Sequence, residues 1–359
     1  MSIVPLYGHD ALRARVSAAV RRGALPASLL LHGPRGVGKQ RLALWIAQSL
    51  VCSSPGPDGA PCGRCQACRF ALSVAHPDVH WFFPRPRLES GATNKDVTDD
   101  FADAIAERVA SSGLYAPSSG LYGIYVATVR VIVQLASISP AMGKRKVFII
   151  GDADQMVSQE GSDEAANALL KLLEEPPANT TVVLTSSERG ALLPTIRSRV
   201  VNVRVAPVAR RDVEAFLADP AVADAMRRAH PRRSTADLVR LANGAPGTLV
   251  AGDEREAAIE SAERLLASAL SGDRSKTIRV AMAQGTSRAR GRFADILDAL
   301  TELVAERARA AVTNGDERAA VGASRAMASI EQAKTLIPNN VSPALITAAL
   351  LRDLSAELS

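Results

Sequence analysis

Aromatic side chains are scarce in this chain: two Trp, four Tyr and seven Phe among 359 residues, 4% of the total. A protein that grips single-stranded nucleic acid by stacking bases needs a platform of such rings, and the sequence offers none. Long apolar runs are absent too. None reaches the roughly 20 residues of a membrane-spanning helix. The N-terminus lacks the charged-then-apolar layout of a signal peptide, so a cytoplasmic protein is expected. Neither charge dominates: 43 Lys and Arg against 37 Asp and Glu leave a net +6, mostly scattered. That balance permits contact with a nucleic-acid backbone without demanding it, and a solvated surface accounts for it as well. Cysteine is rarest in its distribution, with four residues confined to one short window.

What is present is a globular composition. Hydrophobic residues make up 47% and charged residues 22%, with an Ala- and Leu-rich bias towards helix. A chain of this length suggests two or three domains. Near its start, Leu29-Leu30-Leu31 read as a short buried strand. Gly33-Pro34-Arg35-Gly36-Val37-Gly38-Lys39-Gln40 follows and fits all but the last letter of the phosphate-loop pattern G-x-x-x-x-G-K-[ST]. Glycines let backbone N–H groups close around phosphate oxygens, and Lys39 would add a point charge at the start of a helix. The hydroxyl that would hold Mg²⁺ is missing, because Gln40 stands in its place. A Gly-rich strand-to-helix turn with no ligand is the alternative reading.

An amphipathic helix carrying Leu12, Val16 and Val20 precedes this loop, and a second, from Arg41 to about Val51, follows it. Cys52, Cys62, Cys65 and Cys68 come next, spaced C-x9-C-x2-C-x2-C with Gly, Pro and Asp between the first two. Four thiolates at this spacing can meet tetrahedrally around Zn²⁺, with a redox pair or idle thiols as the alternative. Four sulfurs complete a closed shell, so the metal would be structural and not catalytic. An apolar strand, Val79–Phe83, then leads into a polar stretch from Pro84 to about Asp100 that suggests an exposed insertion. Helical periodicity is expected around Phe101–Val109, a Gly/Ser-rich mobile loop over 111–123, and another apolar helix over Val126–Leu135. The strand Val147-Phe148-Ile149-Ile150 ends in Gly151-Asp152-Ala153-Asp154. In nucleotide-hydrolysing sheets such a strand ends in an Asp for Mg²⁺ and a Glu for the attacking water. Gly151 here occupies the first of those places.

The next segment is the most specific. Asn167-Ala168-Leu169-Leu170-Lys171-Leu172-Leu173-Glu174-Glu175-Pro176-Pro177 reads as a helix stopped by two prolines. The strand Thr181–Ser186 follows it, and then Ile196-Arg197-Ser198-Arg199-Val200. Together with the phosphate loop and the cysteine window, these runs closely resemble subunits of the bacterial clamp loader, the AAA+ assembly within DNA polymerase III holoenzyme, and within them the delta-prime type. The resemblance covers the whole length.

That resemblance implies an α/β AAA+ nucleotide-binding domain over 1–206 with an inserted zinc knuckle at about 52–68. It further implies a small helical lid over 207–252 and an all-α collar over 253–359 that packs subunits into a ring. Gly33, Gly36, Gly38 and Lys39 would line the nucleotide cradle, and Thr185 would stand where a sensor watches the γ-phosphate. Arg199 would reach a neighbouring subunit's ATP as a finger, although the family's Cys after it is Val200 here. A surface arginine in an ordinary ion pair is the alternative. Gly247 replaces a sensing arginine in the lid turn, and with Gln40 and Gly151 this removes three groups that hydrolysis uses. The implied protein is a non-hydrolysing subunit with room for weak or non-productive ATP or ADP. Its partners would be the motor (gamma/tau) and delta subunits, the sliding clamp and primer–template DNA, the last through its phosphate backbone. Two rival readings stand beside this one. One is an ATP-hydrolysing motor subunit of the same assembly; the other is a zinc-containing DNA-binding protein with a degenerate nucleotide fold.

Overall fold

The computed structural model describes residues 2–89, 91–115, 122–156, 163–188, 190, 192–283, 290–337 and 341–358. Seven strands occur among them: β1 (Ser28–His32), β2 (Val79–Phe82), β3 (Arg85–Pro86), β4 (Tyr122–Gly123), β5 (Lys146–Ile150), β6 (Thr180–Ser186) and β7 (Val201–Arg204). Five of them form one sheet in the order β2-β5-β6-β1-β7, with every neighbouring pair parallel. β1, β5 and β6 are buried on both faces, which is why their runs show no alternation of buried and exposed residues. β3 and β4 pair antiparallel in a separate two-stranded ribbon.

Helices α1 (Asp10–Arg21), α2 (Lys39–Val51), α3 (Gln66–Leu72), α4 (Asn94–Ala110), α5 (Val126–Ala136), α6 (Asp163–Glu174) and α7 (Pro194–Arg197) accompany the sheet. Leu42 and Ile46 of α2, Val129 and Ile132 of α5 and Leu169 of α6 are buried with Leu30, Phe148 and Leu184 in one core. α4 corrects the expected exposed insertion. It begins at Asn94, not near Phe101, because Thr93 and Asp96 form a capping box that starts a helix in polar sequence. Val97 is buried on that first turn, and Arg85 is fixed to Asp100 through two hydrogen bonds of 2.8 and 2.6 Å. Of the loop expected over 111–123, residues 116–121 lie outside the described residues, and Tyr115 before them packs inwards.

The chain divides into two compact units, residues 1–251 and 252–359. The first holds a second apolar core around α8 (Arg210–Ala218), α9 (Pro220–Ala229) and α10 (Thr235–Ala242). Val4 is buried in that core, and Tyr7 donates to Asp219 Oδ2 at 2.8 Å. The N-terminal segment therefore binds these helices to the sheet domain. The second unit is α11 (Gly252–Leu270), α12 (Arg274–Met282), α13 (Arg290–Thr313), α14 (Glu317–Leu336) and α15 (Pro343–Glu357). Phe293, Leu297, Leu300 and Val304 of α13 are buried in it, as the apolar stripe predicts. Ile296 and Leu303 lie half-buried at the stripe's edge. Leu350, Leu351 and Leu354 of α15 are buried too, whereas Leu345 is exposed, and Asn339 and Asn340 fall outside the described residues.

Candidate functional site

The phosphate-loop segment connects β1 to α2 at the carboxyl edge of the sheet, the edge where open parallel sheets carry ligands. Gly36 and Gly38 both take positive φ, 76° and 91°, which lets the chain turn sharply into the helix. Lys39 is buried, and its ammonium donates to Gly33 O at 2.9 Å, Pro34 O at 2.8 Å and Ser187 Oγ at 2.9 Å. Three N–H groups meet three acceptors, so a phosphate must displace one of them to be bound. Burial pushes the Lys39 pKa down to about 8, against the opposing pull of Asp152 and Asp154.

Gln40 fills the place of the absent hydroxyl with an amide hydrogen-bonded at both its nitrogen and its oxygen. Its Nε2 donates to Asp152 Oδ2 at 2.8 Å, and its Oε1 accepts from Trp81 Nε1 at 2.9 Å and Tyr115 OH at 3.2 Å. Arg108 lies over the rings of Tyr115, Phe83 and Trp81 and closes the network from the α4 side. Gly151 faces the amide so closely that a Cβ there would sit 2.5 Å from Gln40 Cδ. The two departures from the hydrolytic pattern are therefore complementary: the glycine makes room for the glutamine. Gly151→Asp alone is expected to lower stability by about 2 kcal/mol, because Gln40 must abandon its partners to make way. Adding Gln40→Thr should recover much of that loss. Urea unfolding of the two variants checks this, and equal midpoints would contradict it.

Asp152 is buried, which raises its pKa, and Asp154 beside it pushes the same way. Its backbone N–H donates to Thr185 Oγ1 at 2.9 Å. Thr185, expected as a phosphate sensor, is thus wholly buried and spent on the neighbouring strand end. Asp154 accepts from the Ser187 N–H at 3.2 Å. The turn around Gly247 closes the other side of the loop. The Gly247 N–H donates to Gly36 O at 2.9 Å, and Thr248 packs where a Gly36 side chain would be. A Cβ at Gly247 would meet the same oxygen at 2.9 Å, so a long side chain at this position requires the turn to lift.

Cys52, Cys62, Cys65 and Cys68 come together as the spacing predicts, with all four sulfurs within 4.8 Å of one another. Cys52 to Cys65 measures 3.9 Å and Cys62 to Cys68 4.0 Å. Tetrahedral zinc with bonds of about 2.3 Å separates its sulfurs by about 3.8 Å, so the cluster fits the ion. N–H groups of Cys62, Cys65 and Cys68 donate to the sulfurs of Cys52, Cys62 and Cys65 at 3.3–3.4 Å, a set that favours thiolates. His76 and His80 belong to a different part of the domain, where both side chains are packed inside.

Arg199 stands just after α7 and is bound within its own chain. Its Nε donates to Glu174 Oε1 at 2.7 Å, its Nη2 contacts the same oxygen, and its Nη1 donates to Thr195 O at 2.9 Å and Ser198 Oγ at 3.3 Å. About a third of its side chain remains exposed. Several arginines of α8, α9 and α10 are likewise paired locally: Arg210 with Glu214, Arg227 and Arg228 with Asp224, and Arg240 with Asp237. Trp81, Tyr115, Ser187 and Glu174 complete these sites, and sequence reasoning does not single them out. The only signal for the first two is the scarcity of such rings, and for Glu174 its place in the proline-stopped helix.

A family model described as "DNA polymerase III, delta subunit" matches residues 8–209. The chain is 34% identical over 173 residues to the DNA polymerase III subunit delta' of Pseudomonas aeruginosa, covering 48% of this chain and 41% of that protein. It is 27% identical over 264 residues to the subunit delta' of Escherichia coli, covering 72% of this chain and 65% of that protein. Against the DNA polymerase III subunit gamma/tau of Mycobacterium bovis the identity is 30% over 217 residues, 60% of this chain and 31% of that protein. In each case the matched stretch spans less than two thirds of the relative's own length.

Proposed function

The chain belongs to the DNA polymerase III delta-subunit family, and we propose that it is the non-hydrolysing, delta-prime-type wall of a clamp loader. In that role it lends Arg199 to the ATP site of a neighbouring motor subunit, of the gamma/tau kind, and sits in a ring with a delta subunit. The ring opens a sliding clamp and places it on primed DNA. One observation carries the non-hydrolysing part: at the position of the hydroxyl that would hold Mg²⁺ stands the Gln40 amide, bonded to Asp152 and seated against Gly151. A guanidinium beside a γ-phosphate stabilises the charge of phosphoryl transfer, which is what the neighbour would gain.

The three-part division into 1–206, a lid over 207–252 and a collar over 253–359 belongs to the same proposal. Zn²⁺ held by Cys52, Cys62, Cys65 and Cys68 would be structural. Any nucleotide at Gly33, Gly36, Gly38 and Lys39 would be bound weakly, since Lys39 and Thr185 are already spent inside the chain. Contact with DNA would run through phosphates and fall with salt.

The gamma/tau likeness favours one rival, an ATP-hydrolysing motor. Two assays separate the readings. The chain alone is expected to show no Mg²⁺-dependent ATP turnover. A reconstituted loader carrying Arg199→Ala should lose about tenfold or more of its clamp- and DNA-stimulated turnover while eluting intact from gel filtration. Turnover by the isolated chain would support the motor, and an unaffected Arg199→Ala loader would remove the finger.

A further inference from the structure

Glu174 holds the Arg199 guanidinium by its Nε–Nη2 edge, and neutral groups of the same chain hold Nη1. The carboxylate takes Nε–H and one N–H of Nη2, while Thr195 O and Ser198 Oγ take the two of Nη1. An arginine has five N–H groups, so a single Nη2 donor is left over. Both ends of this contact are anchored. Glu174 is the last residue of α6, above the buried Leu172 and Leu173 and directly before Glu175 and two prolines. Arg199 lies between the buried Ile196 and Val200.

We infer that Glu174 is the positioning residue of Arg199, fixing the guanidinium so that its outer Nη edge is already aimed when a neighbour's triphosphate arrives. The inference rests on the finger reading of Arg199. A long exposed arginine loses rotamer freedom when it must meet a ligand, and a carboxylate on the Nε side removes that freedom beforehand. Such pre-organisation favours the transition state, in which charge develops on the transferred phosphoryl group, more than it favours ground-state ATP binding. The weaker contacts to Thr195 and Ser198 are the ones the phosphate replaces. The Glu174 contact persists.

The test uses the reconstituted loader with its clamp and primed DNA, and the variants Glu174→Ala, Glu174→Gln, Arg199→Ala and the double Glu174→Ala/Arg199→Ala. Glu174 is nearly half exposed, so its loss is expected to leave the fold intact, and gel filtration of each variant loader checks assembly. Glu174→Ala is expected to lower kcat about tenfold with the KM for ATP within about twofold of the parent. Glu174→Gln, which keeps an acceptor in the same place, should restore most of that loss. The double variant should turn over no more slowly than Arg199→Ala alone. If Arg199→Ala leaves turnover unchanged, the finger reading itself has failed. If Arg199→Ala is crippling but Glu174→Ala matches the parent, raises kcat, or adds its full effect in the double variant, the positioning role is wrong and the finger stands.

Discussion

Cys65→Ser is expected to abolish metal binding at the four-thiol cluster and, with it, the order of residues 52–72. Cys65 is central to the cluster: its sulfur lies 3.9 Å from that of Cys52 and accepts from the Cys68 N–H at 3.4 Å. Structural zinc contributes about 10–16 kcal/mol of apparent binding free energy in small zinc modules, because no preformed site exists in the unfolded chain. Here the knuckle is one part of a larger domain, so only a fraction reaches global stability. A loss of about 3 kcal/mol or more is a conservative expectation, equivalent to about 6 °C or more in Tm. The damage would also travel. Arg21 donates to Pro57 O at 2.8 Å, and the Ile3 N–H donates to Leu72 O at 3.1 Å, so α1 and the N-terminal segment both lean on the knuckle. That segment in turn supports the phosphate loop, with Arg41 bonded to Val4 O at 2.6 Å and His9 Nε2 to Val37 O at 2.8 Å. Zinc content by mass spectrometry and thermal melting with and without a strong chelator measure the effect. A parent protein purified free of metal, with a melt indifferent to the chelator, would show the sulfurs to be idle.

The parts of the site that were legible in the sequence are those encoded within a few residues. The strand before Gly33, the turn into α2 and the four thiols are each written in one short window, and the structure assembles them as the spacing predicts. The burial of the α13 stripe and the proline stop after α6 follow from local periodicity and local stereochemistry in the same way. What stayed hidden depends on distant pairs. Gln40 reads as a missing hydroxyl, yet its meaning comes from Trp81, Tyr115 and Asp152, up to 112 positions away. Lys39 reads as a free charge, and Ser187, 148 positions on, turns it into a satisfied internal donor. The start of α4 was missed for another reason: a polar capping box outweighs the absence of apolar periodicity in its first turn. In each case the residue type was visible and its partner was not.

Asp78→Ala should lower stability by about 3 kcal/mol. Asp78 sits directly before β2 and is wholly buried. Its carboxylate accepts from the N–H groups of Ala141, Met142 and Gly143 at 2.5, 2.8 and 2.6 Å, tying the turn before β5 to the strand beside it. Burial alone would push its pKa up, and the three backbone donors overcome that and leave it below the usual carboxylate range. Removing the side chain takes the acceptor from three N–H groups of a partly exposed turn together. A carboxyl held below its ordinary pKa stabilises the fold fully above that value and loses its contribution as pH falls through the folded one. The two neighbouring histidines act in the same direction. Burial pushes His80 down to about 4 and lowers His76, and the Nε2 atoms of both are buried without a hydrogen-bond partner. The unfolded chain therefore takes up more protons as pH drops from about 6.5 to about 4, and stability falls across that window. Asp78→Asn, which keeps an acceptor oxygen but no charge, should recover part of the loss. Urea unfolding at pH 7 and pH 5 distinguishes these contributions: the Ala variant should be weaker at both, with the histidine-driven slope retained. A midpoint within about 1 kcal/mol of the parent at pH 7 would mean that the turn before β5 finds other acceptors for its N–H groups.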